Sequence, residues 1–261
     1  MIRLGVCTSP ENINLIADAG FEYIEIGFAW LHGLSEEDFQ KSLETVRAAK
    51  IKVEAANGML PGTLKVVGPD ADEAAIREYL EKAFARGKEI GVKTVVFGSG
   101  ASRGVPEGFP QDEAWRQIAR YLEIASEYCD KYEIDLAIEP LRRVECNIMN
   151  LVTEGTLMAA LIKHPRIGVL GDTHHMACGH EPWSAFTQAG KLLKHVHISH
   201  SMGNEKGRDY PAPGDDGDYK EIFDVLKACG YEGRVSIEAG CKDLAADAPK
   251  AYKALCEALN A

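Results

Sequence analysis

Short apolar runs alternate with longer stretches of helical periodicity along the whole chain. The runs at 2–7, 23–26, 51–56, 94–97, 135–138, 167–170, 195–198 and 234–237 read as strands. Between them the spacing predicts helices at about 10–19, 35–50, up to 90, 111–131, 153–163, 184–193, 218–229 and at the C-terminal end. Gly20 stops the first helix, and Ser35 caps the second with Glu36, Glu37 and Asp38 in its first turn. The segments 61–70 and 98–110, rich in Gly and Pro, read as loops.

A strand-helix pair repeated eight times favours a parallel α/β architecture, and a closed (β/α)8 TIM barrel needs that number of units. A doubly wound sheet would also alternate strand and helix. It would not gather the ends of four successive strands around one point. No charge run or Ser-rich linker divides the sequence, so residues 1–261 are expected to form a single TIM-barrel domain.

That topology matters because of what ends the last four strands. Glu139 closes L-A-I-E-P, Asp172 closes G-V-L-G-D, His197 closes H-V-H, and Glu238 closes V-S-I-E. A carboxylate or imidazole at the end of a buried apolar strand is costly unless something neutralises or uses it. Taken singly, each could be an ion-pair partner or a structural hydrogen-bonder. Taken together, at the C-terminal rim where barrel enzymes carry their chemistry, they point to one divalent metal ion. Three carboxylates and an imidazole are a hard ligand set, suited to Mn²⁺ or Mg²⁺ with Co²⁺ as a workable substitute. Such an ion polarises a carbonyl and stabilises an enediolate, and two of its carboxylate ligands could move protons on opposite faces of a substrate.

Other residues lie near these ends. One of His174 and His175 could face the mouth, and Glu145 follows in the loop after strand five, where Arg142 or Arg143 is as naturally its ion-pair partner as a substrate contact. Arg208 falls in the 201–218 loop, whose Gly, Pro and Asp suit an ordered turn or lid. Trp30 follows strand two and could offer an apolar wall to a sugar, although a core position is equally natural. Glu25 reads as structural, and His32, His164 and His180 as peripheral. Of the H-x-H pair, His197 is nearer the strand end than His195.

Bulk properties narrow the field further. A hydrophobic fraction of 46% supports a substantial core, and a formal net charge of −11 argues against broad nucleic-acid binding. No run is long and apolar enough for a membrane span, and Met1-Ile2-Arg3-Leu4 leads into a strand without a signal-peptide layout. Seven scattered cysteines with no C-x-x-C pair read as reduced thiols, giving a cytoplasmic expectation.

The motifs I-E-P-L-R-R-V-E-C-N-I-M-N from Ile138, G-D-T-H-H-M from Gly171, H-V-H from His195 and S-I-E from Ser236 resemble those of the sugar phosphate isomerase/epimerase family of xylose-isomerase-like TIM barrels. Within it they resemble the ketose 3-epimerase (tagatose/psicose 3-epimerase) group. The likeness extends to P-G-T-L-K-V-V-G-P and V-V-F-G-S-G. It implies metal binding by Glu139, Asp172, His197 and Glu238, with Glu139 and Glu238 as the acid/base pair. It further implies substrate contacts by His175, Glu145 and, approximately, Arg208, which extra residues S-M-G-N-E-K-G precede here. Pro140 and His174 are smaller departures from the group's pattern. The implied substrate is a small ketose, and relatives of this kind are often homo-dimers or homo-tetramers.

Three other activities bear weighing. A lyase or dehydratase acting on a keto-sugar or inosose would share the metal and the first proton abstraction. An endonuclease IV-like DNA-repair enzyme would need further His ligands, which A-A-N-G-M and F-G-S-G after strands three and four do not offer. A non-catalytic sugar binder would have no need of two facing bases. No strong Gly-rich phosphate cradle is visible, although A-G-C-K-D-L after Glu238 offers a weak one.

Overall fold

Parallel strands buried on both faces are the organising feature of the computed structural model, which describes residues 1–200 and 208–261. The strands are β1 (Arg3–Cys7), β2 (Tyr23–Gly27), β3 (Lys52–Asn57), β4 (Thr94–Phe97), β5 (Asp135–Ile138), β6 (Ile167–Asp172), β7 (Leu193–Ile198) and β8 (Arg234–Ile237). They pair in chain order, and β8 pairs back onto β1 to close the barrel. The chain therefore adopts the (β/α)8 architecture that its periodicity implies.

An outer layer of helices covers the barrel. In the first half these are α1 (Ile13–Asp18), α2 (Phe28–Gly33), α3 (Glu36–Ala48), α4 (Glu73–Ile90) and α5 (Gly100–Arg103). In the second half they are α6 (Gln111–Tyr132), α7 (Val152–Ile162), α8 (Thr173–Cys178), α9 (Ala185–Ala189), α10 (Tyr219–Ala228) and α11 (Leu244–Asn260). Local chemistry sets several ends. Ser35 Oγ accepts from the Asp38 N–H, and the Asp72 carboxylate accepts from the Ala74 and Ala75 N–H groups. Gly91, at φ 111°, stops α4 in the left-handed conformation that glycine adopts without strain.

The structure corrects the expected boundaries at several points. The 184–193 helix is α9 followed by a 3-10 turn, Gly190–Leu192, and β7 begins at Leu193. Strand six continues to Asp172, because parallel pairing with β7 sets Asp172 level with His197. Glycine at 171 is required there, since a Cβ would lie 2.2 Å from the Phe186 ring. Helices α2, α5 and α8 were not anticipated; at six residues or fewer they are too short to establish a helical period.

Most apolar packing lies between barrel and helices, where Phe28, Phe84, Tyr121, Phe186 and Phe223 are buried. Inside the barrel Val96, Ala137 and Leu170 form a separate small apolar cluster. Polar groups occupy other levels of the interior. At the foot, Arg3 Nη1 and Arg234 Nε donate to Glu54 Oε2 at 2.6 and 2.8 Å. Higher up, Tyr23, Ser236, His195 and Glu25 are fully buried and linked by hydrogen bonds. The polar column leads to the rim.

Candidate metal centre and active site

Glu139, Asp172, His197 and Glu238 meet at the C-terminal rim, with one donor atom from each lying within 4.8 Å of one another. His197 Nδ1 is 3.4 Å from Glu139 Oε1, 3.7 Å from Asp172 Oδ2 and 3.1 Å from Glu238 Oε2. The barrel makes this convergence: β5 to β8 are consecutive neighbours, and the residues at or just beyond their C-terminal ends occupy one arc of the mouth.

Each ligand candidate has one polar atom tethered and another facing the shared centre. Asp172 caps α8 by accepting with Oδ1 from the His174 and His175 N–H groups at 2.7 and 3.1 Å, leaving Oδ2 for the centre. Glu238 accepts from Asn57 Nδ2 at 2.9 Å with Oε1, leaving Oε2. His197 is held through Nε2 by Glu25 Oε1 at 2.9 Å, leaving Nδ1. Arg103, fully buried between barrel and helices, donates to the main-chain carbonyls of Phe97 and Glu139 at 2.9 and 2.7 Å and so ties down the backbone of the fourth.

Glu139 Oε1 and His197 Nδ1 are buried with no hydrogen-bond partner among the described residues. Buried polar atoms are seldom left so. Three oxygens and one nitrogen with two unsatisfied members fit a hard divalent ion better than they fit each other. Arg208 answers part of the negative charge: its guanidinium donates to Asp172 Oδ2 and, at 2.5 Å, to Glu238 Oε2.

The field inside the cluster separates its members. Burial pushes the Glu139 carboxyl above its ordinary value, and the nearby charge of Glu238 adds to this against the pull of His197. Burial acts the same way on Asp172, but His175 and Arg208 outweigh it and hold that carboxyl well below the usual range. Glu238 is also lowered, with His197 and Arg208 overcoming its burial. Burial drops His174 to about 4.

The substrate-contact candidates take different places. His175 is buried with Nε2 3.9 Å from Glu139 Oε1. Trp30, on α2, is 40% exposed, so it is not the core residue that its position also allowed. It lines a cavity of about 280 Å³ with Cys7, Thr8, Ser9, Glu25 and Asn57, next to the tethers of His197 and Glu238. Glu145 sits on the rim, bonded to Arg142 Nε at 2.5 Å. Arg208 lies on the centre itself, and the residues preceding it, Ser201 to Gly207, are outside the described residues. Sequence reasoning missed Asn57 and took Glu25 only as structural. Each is a polar residue in an apolar strand, which was the available signal.

Residues 13–261 match the xylose isomerase-like TIM barrel family, and the chain belongs to it. Among curated relatives it is similar to fructoselysine 3-epimerase of Escherichia coli O157:H7, 28% identical over 130 residues. That match covers 49% of this chain and 47% of the relative, so the chain spans about half the length of that protein. It is 24% identical over 237 residues to D-psicose 3-epimerase of Agrobacterium fabrum (strain C58 / ATCC 33970), covering 87% of this chain and 77% of the relative. A solved D-psicose 3-epimerase with D-tagatose from Clostridium cellulolyticum H10 superposes with a TM-score of 0.84 at 18% identity, covering 98% of this chain and 99% of that one. At that identity the superposition speaks for the fold. Among the described residues no helix is long and apolar enough to cross a membrane.

Proposed function

We propose that this protein is a divalent-metal-dependent sugar epimerase that inverts a hydroxyl-bearing carbon beside the carbonyl of a ketose, C3 in the simplest case. The observation that carries this reading is the convergence of Glu139, Asp172, His197 and Glu238 with unsatisfied donor atoms at its middle. The matched relatives named as ketose 3-epimerases support the same substrate class. Glu139, Asp172, His197 and Glu238 would hold one ion, Mn²⁺ best among Mn²⁺, Mg²⁺ and Co²⁺, and that ion would polarise the substrate's carbonyl oxygen.

The protein's own residues divide the proton work. Glu139 and Glu238 are the two end members of the arc, so a small sugar seated between them meets one carboxyl on each side. Glu238, beside the Arg208 guanidinium, takes a proton from carbon. Glu139, on the other side of the seat, returns one to the opposite face of the resulting enediolate. The roles exchange in the reverse direction. His175 orients the sugar beside Glu139, Trp30 walls the apolar side of the cavity, Arg208 receives a substrate oxygen at the mouth, and Glu145 contacts the distal end from the rim.

Incubation of the Mn²⁺-loaded protein with candidate ketoses in D₂O tests this. Deuterium at a carbon whose hydroxyl is retained, together with the epimeric sugar, supports the proposal. Loss of water from the substrate would instead assign the lyase reaction. Binding without any exchange would leave a sugar binder. DNA cleavage is not favoured by a chain of formal net charge −11 whose segments A-A-N-G-M and F-G-S-G after strands three and four carry no His.

A further inference from the structure

Directly beneath the rim, Glu25 of β2 is fully buried, and a buried carboxylate is expensive unless its charge has a purpose. Among the described residues no Lys or Arg pairs with it. Its two oxygens instead face two imidazoles, His195 Nε2 at 2.7 Å from Oε2 and His197 Nε2 at 2.9 Å from Oε1. An ionised carboxylate only accepts hydrogen bonds, so both Nε2 atoms must carry protons. Were the His197 proton on Nδ1 instead, two lone pairs would face each other at that distance in a dry interior.

With Nε2 protonated, the Nδ1 lone pair of His197 is the atom left over. It is buried, has no hydrogen-bond partner among the described residues, and lies 3.1 to 3.7 Å from oxygens of Glu238, Glu139 and Asp172. His195 braces the arrangement from below. Its ring sits 3.3 Å from Ser236 Oγ, which in turn bonds the Tyr23 hydroxyl at 2.8 Å. The chain thus spends a buried charge on setting one imidazole's tautomer and direction.

We propose that Glu25 is a positioning residue that locks His197 as its Nε2–H tautomer and keeps Nδ1 aimed at the ion, with His195 sharing the carboxylate as a brace. This rests on the metal centre assigned above. Glu25→Gln would present an amide N–H to one of the two Nε2–H groups, forcing one ring to change tautomer or turn away.

The test uses the full chain and Mn²⁺ titration by calorimetry of wild type and Glu25→Gln. A folded variant is expected to bind Mn²⁺ about 10- to 100-fold more weakly, the usual effect of losing such a partner. Unchanged affinity in a folded variant overturns the proposal. Nitrogen-15 NMR of histidine-labelled, Mg²⁺-loaded wild type gives the second readout, which a merely structural role would not dictate. Expected is a His197 proton on Nε2 and none on Nδ1, and the opposite pattern overturns the proposal even if Glu25→Gln fails to fold. If wild type itself binds no ion, the metal centre falls and this proposal with it; if wild type binds one and only the Glu25 readouts fail, the centre stands alone.

Discussion

Gly98, just after β4, is where a single methyl group should disable the centre. A Cβ at this position would lie 2.2 Å from Glu139 Oε2 and 3.3 Å from its Cδ, with Leu141 Cδ2 at 3.6 Å. The near limit of a carbon–oxygen contact is about 3.3 Å, so Gly98→Ala must displace the carboxylate by about 1 Å. The displacement cannot be absorbed quietly, because His197 and His175 stand 3.4 and 3.9 Å from Oε1. Misplacing a reacting group by that distance costs about 100-fold in rate. Crowding a packed interior costs about 1–3 kcal/mol of stability. The assay needs no substrate: Mn²⁺ titration of the purified variant is expected to show affinity weakened at least tenfold, beside a Tm lowered by a few degrees, and turnover on any confirmed ketose should fall about 100-fold. Wild-type Mn²⁺ affinity in Gly98→Ala would refute the reasoning, since it would mean that Glu139 either moves freely or is not a ligand.

Further outcomes follow from the tethers and from the barrel foot. Asn57→Ala removes the hydrogen bond to Glu238 Oε1, and Mn²⁺ affinity measured by calorimetry should fall about tenfold with the fold intact. Arg103→Met strands the buried carbonyls of Phe97 and Glu139, and urea denaturation should show a loss of about 3 kcal/mol. Glu54 is held below its ordinary value by Arg3 and Arg234 against the effect of burial, so its folded pKa lies under the unfolded one. Its stabilisation is therefore present above about pH 4.3 and lost as pH falls through the lower folded value. Glu54→Gln should be about 1–2 kcal/mol less stable than wild type at pH 7 by urea denaturation, with the gap closing in acid.

The four rim residues were legible because a parallel barrel buries its strands on both faces. A polar residue at the end of an apolar run then stands out, and consecutive strands are spatial neighbours. The tethers were less legible for the same geometrical reason. Asn57 and Glu25 lie on β3 and β2, far in sequence from β7 and β8, and only barrel closure brings them under Glu238 and His197. The short helices α2 and α8 escaped because a single turn or two carries no periodicity. One consequence was that Asp172 was read only as the end of strand six, when it is also the cap of α8. Arg208 was visible as a loop arginine, but its bridge across Asp172 and Glu238 depends on the fold of the loop that delivers it.

One divalent cation, on our proposal, sits among Glu139, Asp172, His197 and Glu238. Anomalous diffraction from crystals soaked in Mn²⁺ tests it most directly. Expected is a single strong peak per chain, bounded by a carboxylate oxygen from each of the three acids and by Nδ1 of His197, each at about 2.0–2.3 Å. No peak at that point, or one held by other residues, would contradict the account.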